Sequence, residues 1–251
     1  MKKLYPYAHW WLLLGFIIVI AGFIPSYWTK DLASFNLSVH IHGLSATLWF
    51  IILILQPLFI NLEKYRTHRF FGYTSLIIAT VVAASAAVVT PHNITINYGD
   101  PNLSFMIYYV DLIMVAAFVF FIMMGIHHRK NMQLHSRYLV CTVFIPIQPA
   151  LVRLLIYSGL GFEMALQLGN AIIVAAISLM IWDDYKKGRI YPPYLLAYII
   201  ILSMGITFHF VGCSNWWQNL IENNSVLFVW IILLGLISTT LIFLKKKSKT
   251  Q

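Results

Sequence analysis

The sequence predicts an all-α, polytopic transmembrane helix bundle of about eight spans, with both termini in the cytoplasm. Three observations carry that expectation. Of the 251 residues, 60% are hydrophobic and only 10% are charged, whereas a soluble domain is about 25% charged. With a mean hydropathy of +0.79, there are too few polar side chains to cover a water-facing surface. The apolar residues also gather into runs of helical length, and the basic residues gather into alternate connections between those runs. A soluble enzyme, a secreted module and a disordered tail are excluded.

Residues 1–251 read as one transmembrane domain. Apolar runs lie near 9–28, 38–62, 68–90, 105–126, 138–160, 162–182, 192–212 and 225–244. Each is close to the ~20 residues needed to cross ~30 Å of hydrocarbon. The first follows a basic Met1–Lys3 segment but lacks a small-residue cleavage site, so it reads as a retained helix. Trp10, Trp11, Tyr27 and Trp28 stand near its ends, as interfacial anchors do. The second carries His40, His42, Trp49 and the pair Gln56-Pro57. The third opens on His68 and Arg69, and the fourth carries Asp111 and ends at His127 and His128. The fifth follows His135 and Arg137 and contains Pro146, Gln148-Pro149 and Arg153. The sixth carries Gln167 and Asn170, and the seventh Gly205 and His209. The tightest reversal is at Ser158–Gly161. If the fifth and sixth runs formed one broken helix, the alternation would fail. The longest loops are expected near Pro91–Ser104 and Cys213–Asn224, the latter placed on the bilayer surface by Trp216 and Trp217.

The net charge of +9 does not mark a nucleic-acid surface. Lys2, Lys3, Lys64, Arg66, Arg69, Arg129, Lys130, Arg137, Lys186, Lys187, Arg189, Lys245, Lys246, Lys247 and Lys249 all fall on the side of the termini. They make up 15 of the 17 basic residues, leaving Lys30 opposite and Arg153 inside a span. Positive residues stay cytoplasmic, so the charge encodes topology. The two cysteines, Cys141 and Cys213, fall on opposite sides of the membrane and cannot be bridged.

Ionisable residues within hydrocarbon are costly and therefore informative. Asp111 and Arg153 are the two formally charged residues well inside the spans, roughly 9 and 10 Å below the same surface at 1.5 Å per residue. Equal depth and opposite sign predict an ion pair or a shared network, because a paired charge costs far less than a lone one. The alternative is a structural clamp between two helices. His42, His209, Gln167, Asn170, Tyr108, Tyr109 and Tyr157 fall near the same depth, which predicts a polar, histidine-containing pocket open to the outside. His40 and His42 differ by about 200° around a helix. His42 continues as a stripe through Trp49 and Gln56 at intervals of seven, so that stripe is expected to face the bundle, with His40 interfacial.

A second layer lies on the cytoplasmic side. His127 and His128 read as ordinary helix-end residues. His68 and His135 stand beside Arg69 and Arg137 and are candidate ligands. Each proline within a span frees a carbonyl one turn earlier, and a membrane tolerates this only where another group satisfies it. The fifth span is therefore expected to kink, with Gln148 lining the pocket.

Together these residues form a pattern: His-x-His-Gly at 40–43, Trp49, Gln56, His-Arg-x-x-Gly at 68–72, His-x-Arg at 135–137, then Arg153. It resembles a group of bacterial multi-pass membrane proteins without an assigned reaction, over roughly residues 38–155, and most specifically from His42 to Gly72. The resemblance implies a cell-membrane location, a bacterial inner membrane, and importance of these positions. A looser likeness is to b-type transmembrane cytochromes, which place haem between histidines on neighbouring helices.

Three functions fit these residues. A haem b redox protein needs paired histidines at one depth. His42 with His209 and His68 with His135 meet that condition, Arg69 and Arg137 stand ready for propionates, and Gly72 and Gly205 could leave room for a flat ring. A metal-dependent membrane enzyme could use His42, His209 and Asp111, although HExxH and the di-iron histidine patterns are absent. A small-molecule transporter, sensor or assembly factor could use Asp111 and Arg153 to hold an anionic or zwitterionic ligand. Retinal photochemistry is excluded, because no lysine lies within a span. The expected partners are the lipid bilayer and a small molecule or redox carrier. The residues leave catalysis and oligomeric state open.

Overall fold

The computed structural model describes residues 6–97 and 101–223, without the side chains of 91–97 and 101. It is helical throughout. The chain runs through α1 (Ala8–Phe23), α2 (Leu37–Asn61), α3 (Tyr65–Asn97), α4 (Pro101–His127), α5 (Met132–Tyr157), α6 (Phe162–Lys186) and α7 (Pro192–Gly212). Residues 215–223 are again helical. All seven named helices are long and apolar enough to cross a membrane, α1 with the wider turn Ile24–Trp28 that extends it. They match the first seven expected runs, and the eighth, 225–244, lies outside the described residues. The expected loop at Pro91–Ser104 is shorter than its turn-forming residues implied, because α3 continues helically to Asn97 and α4 begins at Pro101.

Local chemistry sets the helix ends. The Asn131 side chain accepts from the backbone N–H of Gln133 (3.1 Å) and Leu134 (3.3 Å), capping α5 in the usual N-cap manner. Pro192 begins α7, where its missing N–H costs nothing. Between α5 and α6 the chain turns through Gly159 at φ +98°, a left-handed conformation that glycine adopts without strain. Val152 lies against Gly169 and Gln148 reaches Asn170, so residues further back in α5 meet residues further on in α6. The two helices are therefore antiparallel neighbours, and the tight reversal at Ser158–Gly161 holds.

Each helix packs on the next in sequence. The connections α2–α3, α4–α5 and α6–α7 thus emerge at one end of the bundle, and they carry Lys64, Arg129, Lys130, Lys187 and Arg189. We call this the basic end. Two hydrophobic cores share α4 and α5 as a common wall. One contains Leu12, Trp49, Phe50, Ala83, Phe118 and Val143 from α1 to α5. The other contains Phe121, Cys141, Leu166, Ile173, Ile201 and Phe208 from α4 to α7. Close approach of α1 to α5 depends on Gly22. A Cβ there would lie 2.6 Å from the Cα of Ala150 and overlap its carbonyl oxygen. α5 runs as one helix through Pro146 and Pro149.

The segment after α7 differs from expectation. Trp216 is exposed, but Trp217 is buried. Its indole N–H donates to the carbonyl of Phe105 (2.9 Å), and its ring packs beside Tyr108 and Tyr109. This segment closes over the start of α4 through Trp217 and Ile221.

Candidate functional site

The His42–Trp49–Gln56 stripe of α2 meets three different partners inside the bundle. His42 Nδ1 lies 3.1 Å from Ser85 Oγ of α3. The Ser85 hydroxyl donates in turn to the Val81 carbonyl (2.6 Å), which leaves its oxygen free to accept from His42. Trp49 is buried and donates to Thr142 of α5 at 3.2 Å, with Phe118 edge-on to its ring. Gln56 donates its amide to the backbone carbonyl of His68 at 3.3 Å. His40 bonds Tyr27 Oη (2.6 Å) and the Leu32 carbonyl (3.2 Å) and so pins the α1–α2 connection.

At the end opposite the basic loops, four helices contribute polar groups to one cluster, and Phe23 of α1 lies against it. Asp111 of α4 accepts from the Thr90 hydroxyl of α3 at 3.1 Å. Arg153 of α5 donates to the Pro149 carbonyl at 3.0 Å and lays its guanidinium over the Phe23 ring of α1 at 4.5 Å. Arg153 lies within electrostatic reach of both Asp111 and His42. The depths predicted an ion pair or a shared network; the two charges share a neighbourhood, and among the described residues they make no direct ion pair. Each leans on a neutral group of its own, Asp111 on the Thr90 hydroxyl and Arg153 on the Pro149 carbonyl.

The remaining residues expected in that layer separate from the cluster. His209 is half exposed and pairs with Glu163 of α6 at 3.2 Å. α7 packs on α4, α5 and α6, whereas α2 packs chiefly on α1 and α3, so His42 and His209 have different neighbours. The buried stripe of α7 runs through Ala197, Ile201, Met204 and Phe208, and His209 is turned about 100° from Phe208. Tyr108 packs against Trp217, and Tyr109 bonds Thr207 at 2.7 Å. Gln148, Asn170 and Gln167 make two separate hydrogen bonds, one between α5 and α6 and one between α6 and α7. Gln148 donates to Asn170 (3.4 Å), and Gln167 donates to the Gly205 carbonyl (2.7 Å).

Of the two glycines expected to leave room, Gly205 has a side chain close against it and Gly72 has only one atom at ordinary contact distance. A Cβ on Gly205 would stand 3.1 Å from the Asn170 amide nitrogen, and one on Gly72 would stand 4.0 Å from the Gln56 amide nitrogen. The notch at Gly205 thus holds the Asn170 amide, whereas Gly72 is only in ordinary contact with Gln56. Among the described residues, no three His, Cys, Asp or Glu side chains come together as a metal-ligand group. The set His42, His209 and Asp111 is accordingly not assembled.

At the basic end, Arg137 takes a role the sequence did not indicate. It forms a buried, two-pronged pair with Asp184 of α6: Nε donates to Oδ2 at 2.9 Å, and Nη2 donates to Oδ1. Its Nη1 donates to the Gln133 carbonyl at 3.1 Å, and Tyr191 covers its face at 4.1 Å. Its donors are thus committed within the protein, whereas Arg69 is exposed. Asp184 lies two residues from the basic end of α6, and Arg137 five residues from that of α5. His135 Nδ1 donates to the Gly125 carbonyl at 2.8 Å. His128 stacks on Tyr138 with ring centroids 5.7 Å apart.

No protein-family model matches the chain, and no curated protein or solved structure is significantly similar to it. The seven apolar helices make it a multi-pass membrane protein, and any function rests on its own residues.

Proposed function

We propose that this protein is a transporter or sensor for a small anionic or zwitterionic solute, held by Arg153, Asp111 and His42. The basic end faces the cytoplasm, an eighth span follows residue 223, and both termini are cytoplasmic. The positive-inside bias supports this orientation and would place the cluster in the outer half of the membrane.

The carrying observation is that a carboxylate and a guanidinium face one layer of an apolar bundle without touching. Charges in such a place are normally tied to a counter-ion or mark a pathway for solutes and ions. Guanidinium has five N–H donors in a planar fork suited to a carboxylate or phosphate, and among the described residues Arg153 commits one of them, to Pro149. A solute carrying a carboxylate and an ammonium would bridge Arg153 and Asp111, while His42 would add a neutral hydrogen-bonding group. Phe23 supports the guanidinium plane and keeps it oriented.

Thermal melting of protein in nanodiscs against glycine, taurine, acetate and phosphate tests this reading. At least one of these solutes should raise the melting temperature of the parent, and Arg153→Gln should abolish the rise. Zwitterions acting more strongly than acetate would place Asp111 in the contact. If none of the four stabilises the parent, or if Arg153→Gln responds equally, the reading fails.

A further inference from the structure

α3 starts at the basic end with Tyr65, and one of its faces is left open. Arg66, Arg69, Phe70, Tyr73, Ile77 and Val81 are all exposed. At 100° per residue these six fall within an arc of about 120°. Ala79, Val82 and Ala83, on the other side of the helix, are buried in the core shared with α1, α2, α4 and α5. The open arc is cationic at the membrane surface and apolar below it. From Arg69 to Val81 the axis runs about 18 Å, which exceeds half of the ~30 Å hydrocarbon core. Among the described residues, neither Arg66 nor Arg69 takes part in an ion pair. Glu63, in the connection before α3, pairs with neither. The basic end of α6 has similar ingredients in a different arrangement. Leu179 and Trp182 are exposed beneath Lys186 and Lys187. There, however, Lys187 is paired with Asp183, and Lys186 lies over the Trp182 ring at 5.4 Å. Only the α3 arc sets two uncompensated cations above its apolar ridge.

We propose that this face of α3 binds an anionic phospholipid, its phosphate held by Arg66 and Arg69 and an acyl chain laid along Phe70, Tyr73, Ile77 and Val81. The guanidinium fork matches the geometry of phosphate oxygens. Two exposed arginines alone would attract any anion. The ridge beneath them selects an anion that carries a long apolar chain. A zwitterionic phospholipid brings the same phosphate together with an ammonium group, which the two guanidinium groups repel, so a head group of net negative charge is favoured. Each basic residue near the membrane surface adds about fivefold to the binding of anionic lipid. The surface is at the opposite end of the bundle from Arg153 and does not depend on the solute-binding reading.

The test is native mass spectrometry of the full-length protein in detergent, with phosphatidylglycerol and phosphatidylcholine of identical acyl chains added in equal amounts. The parent should retain phosphatidylglycerol in preference to phosphatidylcholine. The double variant Arg66→Gln/Arg69→Gln should lower that preference by about 25-fold, two steps of about fivefold. The double variant Lys186→Gln/Lys187→Gln removes the same charge from the same end of the bundle and should keep the parent's preference. Glycerol phosphate, the head group without chains, should not displace the lipid. All four substituted side chains are exposed, and circular dichroism checks that the variants fold. Should the arginine double variant misfold, Arg66→Gln and Arg69→Gln singly should each lose about fivefold. A parent without preference for phosphatidylglycerol would overturn the proposal. An equal loss in the arginine and lysine variants would overturn it in favour of a diffuse positive potential, and displacement by glycerol phosphate would overturn it in favour of a site for free anions.

Discussion

Asp183 and Asp184 are adjacent in sequence and should differ sharply in what they contribute. Asp184 and its partner Arg137 are 2% and 5% exposed at the side chain, whereas Asp183 and Lys187 are 59% and 61% exposed. Removing one member of a buried pair leaves an uncompensated charge and costs about 3–5 kcal/mol. Arg137→Met should lie at the upper end, because the Asp184 carboxylate would lose both of its prongs. Asp184→Leu should lie nearer 3 kcal/mol, because Arg137 keeps the Gln133 carbonyl and the Tyr191 face and a cation over an aromatic ring retains up to about 2 kcal/mol. The double variant Arg137→Met/Asp184→Leu should recover most of either loss, since apolar replacement of a buried pair is often close to neutral. Asp183→Asn should cost no more than about 1 kcal/mol. Equilibrium unfolding in mixed micelles, arranged as a double-mutant cycle, measures all four. Near-equal losses for Asp183→Asn and Asp184→Leu, or a double variant as unstable as the sum of its singles, would refute the assignment.

Three further outcomes are expected. Gly22→Ala should destabilise by about 1–3 kcal/mol, because the new methyl group meets Ala150 backbone that cannot rotate away; unchanged unfolding would contradict the α1–α5 packing. Trp49→Phe should cost about 1 kcal/mol, because Thr142 keeps its bond to the Leu139 carbonyl at 2.6 Å; a loss above about 3 kcal/mol, the scale of a truncated core aromatic, would give Trp49 a larger role than its contacts indicate. In a Cys213→Ser background, an impermeant maleimide added to whole cells should label Lys30→Cys and not Lys130→Cys; the reverse would invert the topology.

The spans were legible in the sequence because a helix crossing hydrocarbon needs a fixed number of apolar residues, and that requirement survives any packing arrangement. Depth was legible for the same reason, which is why Asp111 and Arg153 share a layer. Azimuth was not. His209 has the depth of His42, but it turns toward Glu163, and Tyr108 turns toward Trp217. Depth alone does not say which helices are neighbours, and α7 and α2 adjoin different helices. Glycine spacing misled in a related way. Gly205 does leave space, but Asn170 on the neighbouring helix stands in it. Asp184 was overlooked because acidic residues near a helix end resemble interfacial ones, and its pairing depends on Arg137 of α5, over whose guanidinium Tyr191 and Tyr194 lie.

The central claim is that Arg153 engages a solute entering from outside. Arginine-selective labelling with phenylglyoxal, read peptide by peptide by mass spectrometry on protein in nanodiscs, addresses it directly. Arg66 and Arg69, both exposed at the basic end, serve as internal controls. The account predicts that Arg153 is labelled, and that glycine, taurine, acetate or phosphate protects it while Arg66 and Arg69 react unchanged. Arg153 that none of the four solutes protects, or protection that falls equally on Arg66 and Arg69, would contradict it.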